Sequence, residues 1–579
     1  MRLSEIAALG LIVSACTGGQ EEAPAGRDVT LYPAASVITM TDEGDVAEAV
    51  AVSGGRVVAV GDLDALEGQY PAAATDETFK DLTIVPGLID PHAHVVLGAM
   101  LYSFPLVAPW PMATPDGMQP GHGSPEAFLQ AVADVVAADT GEGPVVVYGY
   151  HNLVHGDLTR QVLDGITTGR PLIVWHYSGH DFYLNSKAIE TAGFTPAMAE
   201  QYHGVDLDRQ GELTGRIYED AAFTVLAAYH ETFMSPAHLR DGFEAYATIL
   251  RKSGVTTTAE LAYGIFGRPM EDGVIRSTWQ NETAAGFRLY LVPEFRAMQR
   301  EFGEGRVQAV LDMAEGKMAT PAPALPRVKF FTDAAYYSQT MRLSPPGYLT
   351  GQSRGSEGLW VIAPDQIVPT LQPYWDAGLG VNIHSNGDAA QSATLAALEA
   401  LREGDGPDNS FTIEHGGLFS PDQVAKAGEL NAQLSAASHY VYYMAGAYQG
   451  PLGGTRGQWI SPLGALTQAG VPVALHSDAP LAPPVPMLAA GVHITRETRE
   501  GTTYEAGMAL SPYEALEAIT LDAARVLGLE DQMGSIEPGK VADFTILGAN
   551  PLETAGEDWD EIPVWGTVLA GEKRPIESE

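Results

Sequence analysis

The stretch Val85-Pro86-Gly87-Leu88-Ile89-Asp90-Pro91-His92-Ala93-His94 decides how the rest of the chain is interpreted. The apolar residues from Leu82 to Leu88 predict a buried strand that ends in a His-x-His pair. Side chains two residues apart project from the same face of extended backbone. His92 and His94 therefore point together, as two imidazole ligands of a transition metal such as zinc would. Alone, the pair is equally typical of loop histidines, so the interpretation depends on later stretches.

Composition and charge limit the class of function. The chain has 579 residues, of which 45% are hydrophobic, as is typical of a globular protein with a large core. The formal net charge of −41 argues against nucleic-acid binding, which needs basic patches. It also argues against docking on anionic membranes by charge. We interpret the acidity as an adaptation for solubility.

The only cysteine, Cys16, excludes a disulfide within the chain and follows an export pattern. The apolar run Ile6–Val13 is too short to span a bilayer, and Val13-Ser14-Ala15-Cys16 resembles a lipobox. This resemblance to bacterial lipoprotein signal peptides implies a cleaved signal at residues 1–15 and lipid attachment to Cys16, before a flexible tether at residues 16–28. We predict an exported lipoprotein, periplasmic or at the cell surface, that meets the membrane only through this lipid. An ordinary secretory signal is the alternative.

Strand patterns at both ends of the chain flank a long α/β middle. Ser53-Gly54-Gly55 is a hairpin signal between two Val-rich segments, and Ala542–Leu547 and Val564–Leu569 are strand-like. We predict that residues 29–81 and 530–579 together form one small β-sandwich domain. Two unrelated strand clusters are the alternative, because the sequence alone does not pair these strands.

Residues 82–529 alternate short apolar strands with helical patterns, which predicts a TIM-like (β/α)8 barrel. The eight strand candidates are Leu82–Ile89, Val255–Glu260, Phe287–Val292, Arg327–Phe331, Gly380–Ile383, Ser410–Ile413, Ala432–Ala436 and Val471–Leu475. About 160 residues separate the first two candidates, far more than one βα unit needs. We therefore predict an inserted subdomain at about residues 100–240, over the barrel mouth.

Residue types that bind metals lie at the ends of five predicted strands. They are His92 and His94, Lys329, His384, His415, and Asp478. Each one alone is more often an ordinary core or rim residue. A barrel of this type builds its active site at the C-terminal ends of its strands, so their coincidence there favours a metal site.

The order and spacing of these residues resemble the amidohydrolase superfamily of metal hydrolases. The flanking residues resemble its amidohydrolase-3, or YtcJ-like, branch, which includes N-substituted formamide deformylases. Besides the opening stretch, the matching phrases are Gly179-His180 to Asn185-Ser186, Gly215-Arg216 to Glu219, Gly254-Val255-Thr256-Thr257, Val328-Lys329 to Asp333, His384 to Gly387-Asp388, Ile413-Glu414-His415, and Gly534 to Asp543. The resemblance covers nearly the whole chain after the tether. It is specific for family and not for substrate.

The resemblance implies a role for each ligand. One metal would be held by His92 and His94, and a second by His384 and His415. Lys329, carboxylated on Nζ, would bridge the two, because an ammonium group has no acceptor with which to bind a metal. Asp478 would be a ligand and the general base. We expect a divalent metal, zinc, with one or two ions per chain; the alternative for the lysine is an unmodified cation that contacts substrate.

Two departures from the branch leave the substrate open. Asp333-Ala334-Ala335 replaces the usual Asp-Gly-Ser, and Ser438-His439-Tyr440 stands where a Gln-Pro pair is usual. Both departures leave the expected metal ligands in place. The pocket candidates, each with a structural role as the alternative, are His180, Asp181, Glu219, His439 and His476.

The predicted function is a metal-dependent amidohydrolase. It would cleave a carbon–nitrogen bond of a small amide or cyclic amide by attack of metal-bound hydroxide, with Asp478 as general base and acid. The alternatives are a mononuclear metal-dependent deaminase and a non-catalytic metal-binding lipoprotein. We expect a small-molecule amide substrate and no nucleic-acid partner, and the sequence leaves open whether the chain forms a homo-oligomer.

Overall fold

A computed structural model describes residues 28–404 and 406–576 of the chain. The strands of this part are β1 (Thr30–Ile38), β2 (Val46–Ser53), β3 (Arg56–Gly61), β4 (Ala74–Thr75), β5 (Thr83–Pro86), β6 (Leu88–Ala93), β7 (Met112–Thr114), β8 (Gly117–Gln119), β9 (Val145–Tyr150), β10 (Leu172–His176), β11 (Asp181–Leu184), β12 (Val205–Leu207), β13 (Leu213–Tyr218), β14 (Val255–Tyr263), β15 (Arg288–Pro293), β16 (Arg327–Phe331), β17 (Gly380–Ser385), β18 (Phe411–His415), β19 (Gln433–Ala437), β20 (Val473–His476), β21 (Phe544–Leu547), β22 (Val564–Leu569) and β23 (Glu572–Pro575).

The α-helices of the same residues are α1 (Leu63–Gln69), α2 (Val95–Leu101), α3 (Pro125–Ala138), α4 (Asn152–His155), α5 (Arg160–Asp164), α6 (Ser186–Ala192), α7 (Ala222–Ala228), α8 (His230–Met234), α9 (Pro236–Lys252), α10 (Arg268–Thr278), α11 (Glu282–Ala285), α12 (Phe295–Phe302), α13 (Arg306–Ala314), α14 (Pro364–Trp375), α15 (Asp388–Arg402), α16 (Pro421–Glu429), α17 (Tyr440–Leu452), α18 (Gly454–Gly457), α19 (Leu463–Gln468), α20 (Pro486–Thr495), α21 (Pro512–Ala518) and α22 (Leu521–Arg525). Among these described helices, none has both the length and the apolar character needed to cross a bilayer. The predicted signal peptide, Cys16 and all of the tether except Asp28 lie outside the described residues.

The two ends of the chain meet in one sheet of eight strands. Its order is β23-β22-β21-β5-β1-β2-β3, with β4 beside β1. Strand β5 is parallel to β1 and antiparallel to β21, so it joins the N-terminal and C-terminal halves. The strands of residues 29–81 and 530–579 are thus hydrogen-bonded into one continuous sheet, and side chains of β2 and β3 share a core with those of β21 and β22. This sheet also takes Thr83–Pro86, which the sequence analysis assigned to the barrel.

Gly87 separates the terminal sheet from the barrel. The predicted strand Leu82–Ile89 is split at this residue into β5 of the terminal sheet and β6 of the barrel. The backbone N–H of Gly87 donates to the carbonyl oxygen of Asp543 at 2.9 Å. A Cβ atom at position 87 would lie 2.1 Å from Oγ1 of Thr256, so the crossing point has no room for a side chain.

We expect Gly87→Ala to lower the free energy of unfolding by about 1–3 kcal/mol, because the added methyl group overlaps Thr256. The matched control is Gly68→Ala in α1, where the new methyl group would meet open space and stabilise the helix by about 0.5–1 kcal/mol. Urea unfolding of both variants measures the difference. A Gly87→Ala variant as stable as the wild type would contradict the steric argument.

Eight parallel strands form the barrel, as predicted. They pair as two sheets, β15-β14-β6 and β16-β17-β18-β19-β20. Parallel bridges join the sheets on both sides, Glu294 with Lys329 on one and Ala93 with Ala479 on the other. The strands therefore close into a ring. Seven of the predicted strands recur with bounds that differ by a few residues, and the first is shifted to Leu88–Ala93.

The predicted insertion is a subdomain between α2 and α9. Its sheet has the order β12-β13-β11-β10-β9, and α3 packs on one face over a core that includes Phe128, Val145 and Leu172. Ser124 starts α3 by accepting a hydrogen bond from the backbone N–H of Ala127, with proline at the first position of the helix. The turn between β10 and β11 and the residues after β13 reach the C-terminal end of the barrel, where the candidate site lies.

Candidate metal centre

His92 and His94 lie side by side at the end of β6, and a carboxylate orients each ring. Nδ1 of His92 lies 2.7 Å from Oε2 of Glu414, and Nδ1 of His94 lies 3.3 Å from Oε1 of Glu260. Glu414 belongs to β18 and Glu260 to β14, and both are buried. A carboxylate on Nδ1 fixes the tautomer that leaves Nε2 available as a metal ligand.

Asp478 places an unsatisfied oxygen between these two rings. It adopts a positive φ of 54° just after β20, where its backbone N–H donates to the carbonyl of His92 at 3.1 Å. Its Oδ1 lies 3.1 Å from Nε2 of His94 and 3.6 Å from Nε2 of His92. This buried oxygen has no partner of acceptable hydrogen-bond geometry among the described residues. A divalent cation shared by the three ligand atoms, which all lie within 4.8 Å of one another, fits this arrangement.

A second group of potential ligands shares His92. Ring nitrogens of His92, His415 and His476 also lie within 4.8 Å of one another. Nε2 of His476 is 3.2 Å from Nδ1 of His415, while its Nδ1 is 2.7 Å from Oγ of Ser435. Nζ of the fully buried Lys329 is 3.3 Å from Nε2 of His92. His476, predicted as a pocket residue, is therefore part of the histidine cluster itself.

His384 lies next to this cluster but is engaged elsewhere. Its ring centroid is 4.5 Å from that of His415. Its Nε2 lies 3.1 Å both from the carbonyl oxygen of Ala334 and from Nδ2 of Asn386. Among the described residues it joins neither ligand group, so the structure brings together five of the six predicted ligands and places His384 beside them.

The electrostatics of the site favour neutral imidazoles at two of its ligands. Burial lowers the pKa of His92 and of His415 well below the usual histidine value. Burial alone would also lower the pKa of His94, but the carboxylates of Asp478 and Glu260 outweigh it and raise the pKa to about 9. Burial lowers the pKa of Lys329 to about 8, against the pull of nearby carboxylates. Neutral imidazole is the form that binds a metal.

A cavity of about 510 Å³ opens beside the ligands, and most of its wall is apolar. It is lined by His94, Lys329, His384, His415 and Asp478 from the barrel and by His180 and Glu219 from the insertion. The aromatic residues on its wall are Trp175, Phe182, Tyr218, Phe223, Phe266, Phe331, Tyr336, Tyr337, Trp360 and Tyr440. A substrate of drug-like size fits such a volume.

Two predicted pocket residues have structural roles outside this cavity. Oδ2 of Asp181 accepts a hydrogen bond from Nε of Arg216 at 2.7 Å within the insertion. His439 stacks on Tyr443 with ring centroids 5.1 Å apart, and its Nδ1 is 2.7 Å from Oγ of Ser438. Of the five pocket candidates, only His180 and Glu219 line the cavity.

Sequence reasoning assigned no role to Glu260 and Glu414. Both are carboxylates inside otherwise apolar strands, a pattern that is costly unless the charge is paired. That cost is the signal that could have identified them, because a buried carboxylate needs polar partners and the predicted histidine ligands are among those within reach.

We expect Glu260→Gln to weaken metal binding by about 10–100-fold, because a neutral amide polarises and orients the His94 ring less than a carboxylate does. Competition with a chromogenic chelator measures the affinity. The matched control is Glu244→Gln on α9, whose side chain is 65% exposed and which should bind metal like the wild type. Equal affinities of the two variants would contradict this role of Glu260.

Comparisons with sequence families agree with these features. The profile of the amidohydrolase family matches residues 80–573. A second profile, described as an imidazolonepropionase-like composite domain of bacteria, matches residues 49–73, which lie in the terminal sheet and α1. The first match spans the whole barrel and the C-terminal strands of the terminal sheet.

Individual relatives cover nearly the full chain. The N-substituted formamide deformylase of Arthrobacter pascens is 25% identical over 558 residues, with 94% of this chain and 98% of that protein covered. The protein YtcJ of Bacillus subtilis is 24% identical, with 93% and 97% covered. The crystal structure of an uncharacterized metal-dependent hydrolase from Pyrococcus horikoshii has a TM-score of 0.68 at 19% identity and covers 91% of this chain and 99% of that one. This structural similarity shows a shared fold.

Proposed function

Because the chain belongs to the amidohydrolase family, we propose that it hydrolyses a carbon–nitrogen bond in a small amide or cyclic amide. The observation that supports this most strongly is the unsatisfied Oδ1 of Asp478 between His92 and His94, at the end of a cavity of about 510 Å³. An open cavity beside the ligands favours catalysis over metal binding alone.

His92, His94 and Asp478 would hold one divalent metal, which we propose to be zinc. Lys329, carboxylated on Nζ, and His415 would contribute to a second site. When bound, the metal would supply a water of lowered pKa and an electrophile that polarises the carbonyl. Glu414 and Glu260 keep Nδ1 of each β6 histidine engaged, so that only Nε2 faces the site.

Asp478 carries the proton in this scheme. As the water oxygen bonds to the carbonyl carbon, a carboxylate oxygen of Asp478 takes one proton from the water. The same proton then passes to the amide nitrogen as the carbon–nitrogen bond breaks. The products are a carboxylic acid and an amine, or one open-chain molecule if the amide was cyclic.

The position of His384 favours a second candidate, a deaminase with a single metal. Its Nε2 is engaged by Ala334 and Asn386, and it belongs to neither group of converging ligands. With an unmodified Lys329, only one metal would be held, and ammonia would leave from an amidine carbon of the substrate. The number of metals per chain therefore separates the two candidates.

The test compares metal-free protein with zinc-reconstituted protein on N-substituted formamides, N-acyl amines, cyclic amides and cyclic amidines. We expect the zinc-loaded protein to release amine from an amide, the metal-free protein to be inactive, and elemental analysis to find two metals per chain. One metal with ammonia release from an amidine would support the deaminase. No turnover of any substrate by the loaded protein would contradict both candidates.

A further inference from the structure

The strand register of the insertion brings His180 and Glu219 together. Strands β11 and β13 are antiparallel, with Asp181 paired to Tyr218. His180 precedes β11 and Glu219 follows β13, so they form the next pair of this register. The backbone N–H of Glu219 donates to the carbonyl oxygen of His180 at 3.0 Å. Their side chains also meet, since Nδ1 of His180 lies 3.0 Å from Oε2 of Glu219.

The pair is held from several sides. Glu219 adopts a positive φ of 47°, which is uncommon for a residue other than glycine and is often found at functional sites. Its second carboxylate oxygen accepts a hydrogen bond from Oγ1 of Thr340 at 3.1 Å, in the loop after the strand of Lys329. The backbone N–H of His180 donates to Oγ of Ser178 at 3.1 Å. These contacts fix the imidazole relative to the barrel.

The free edge of the His180 ring belongs to the catalytic cavity. The side chain is 38% exposed and lines the same cavity as Asp478 and Lys329. Nδ1 of His180 is hydrogen-bonded to Glu219. Nε2 of His180 has no hydrogen-bond partner within residues 28–404 and 406–576. We propose that Nε2–H of His180 donates a hydrogen bond to the oxygen of the scissile carbonyl, with Glu219 as the positioning residue. This inference rests on the proposed hydrolysis.

The chemistry requires a protonated His180. As water adds to the carbonyl carbon, the electron pair of the C=O bond moves to oxygen, and a donor placed there stabilises the growing charge. The proton stays on His180 and the bond to oxygen reforms when the amine leaves. With Nδ1–H donated to Glu219, only the cationic ring has a second N–H, on Nε2.

The surroundings of His180 favour that cationic form. Burial alone would lower the pKa of His180, but Glu219, followed by Asp181 and Asp478, outweighs it and raises the pKa above the usual value. Among the described residues, the imidazoles of His384 and His176 also feel its charge, which lowers their pKa values further after burial. Activity should therefore fall as pH rises through the raised pKa of His180.

The experiment compares His180→Gln and Glu219→Gln, with His230→Gln on the exposed side of α8 as the matched control. The substrate is 4-nitroformanilide, an uncharged N-substituted formamide whose product is coloured. We expect His180→Gln to lower kcat by about 10–100-fold with KM close to the wild-type value, because a neutral amide donor stabilises the growing charge less than a cationic ring does. Glu219→Gln should move the alkaline limb of the pH profile to lower pH, because the imidazole loses its anionic partner. His230→Gln should behave like the wild type.

Several outcomes would overturn the inference. For His180→Gln, these are an unchanged kcat or a rise in KM alone. For Glu219→Gln, it is an unshifted pH profile. Both variants are compared at wild-type melting temperature and zinc content. If the wild type hydrolyses no amide, the proposed function fails separately. His180 is then judged by calorimetric binding of methylphosphonate, an anionic tetrahedral probe, to the zinc-loaded protein. Weaker binding by His180→Gln supports the anion-stabilising role, and equal binding refutes it.

Discussion

Asp478→Asn is expected to lower kcat by at least about 1,000-fold, because an amide cannot take a proton from water at neutral pH. The substitution keeps the size of the side chain and the oxygen nearest to His92 and His94. Metal content should therefore remain near that of the wild type. Burial alone would raise the pKa of Asp478, but His94, His476 and Lys329 outweigh it and lower the pKa, so the base is ionised in the wild type.

The measurement is steady-state turnover of the best amide substrate together with elemental analysis of the same preparation. Asp522→Asn is the matched control, because Asp522 is also buried but accepts the backbone N–H of Val473 outside the cavity. It should keep its turnover. Wild-type activity in Asp478→Asn would remove Asp478 as the base. Loss of both metal and activity would show that the main role of Asp478 is to hold the metal rather than to transfer the proton.

The barrel was predictable because its strands are short, apolar and separated by helical patterns. The boundary at its start was not, since Leu82–Leu88 is one apolar run in the sequence. Only the pairing of Thr83–Pro86 with β1 and β21 shows that these residues belong to the terminal sheet. The pairing of β5 with β21 joins residues more than 450 positions apart, such as Pro86 and Phe544. No local sequence pattern predicts a pairing over that distance. The same pairing joins the strands of the two chain ends, which the sequence alone could not pair.

The clustering of the candidate metal ligands was largely predictable because these residues lie at strand ends. His92, His94, Lys329, His415 and Asp478 converge as the strand positions indicated. His384 differs because its orientation is set by the loop after β16. Oxygens of Asp333 accept hydrogen bonds from the backbone N–H groups of Arg342, Asn386 and Gly387, which places Ala334 and Asn386 against the ring. Contacts of this kind depend on loop conformation, which motif spacing does not specify.

A chain of buried polar groups connects the barrel interior with the metal site. Nε of Arg327 donates to Oδ1 of Asn382 at 2.6 Å, and Nδ2 of Asn382 donates to Oε1 of Glu414 at 2.6 Å. The other carboxylate oxygen of Glu414 is hydrogen-bonded to Nδ1 of His92. A guanidinium group thus lies two hydrogen bonds away from the carboxylate beside His92, a predicted metal ligand. Burial raises the pKa of Glu414, and the positive charges of Lys329 and Arg327 oppose this rise.

Arg327→Met should therefore be strongly destabilising, by about 2–5 kcal/mol, because several polar groups of the barrel interior lose their donor. Arg327 is 2% exposed, and its guanidinium also donates to Oγ of Ser410 at 2.7 Å and Oγ1 of Thr412 at 2.8 Å. Methionine has similar length but no donor, so the buried Asn382 and Thr412 and the half-buried Ser410 would lose their donor. Urea unfolding measures the change, with the exposed Arg354→Met as control. Metal affinity should fall with stability because Glu414 loses a compensating charge. An unfolding midpoint equal to that of Arg354→Met would show that the barrel interior tolerates the loss.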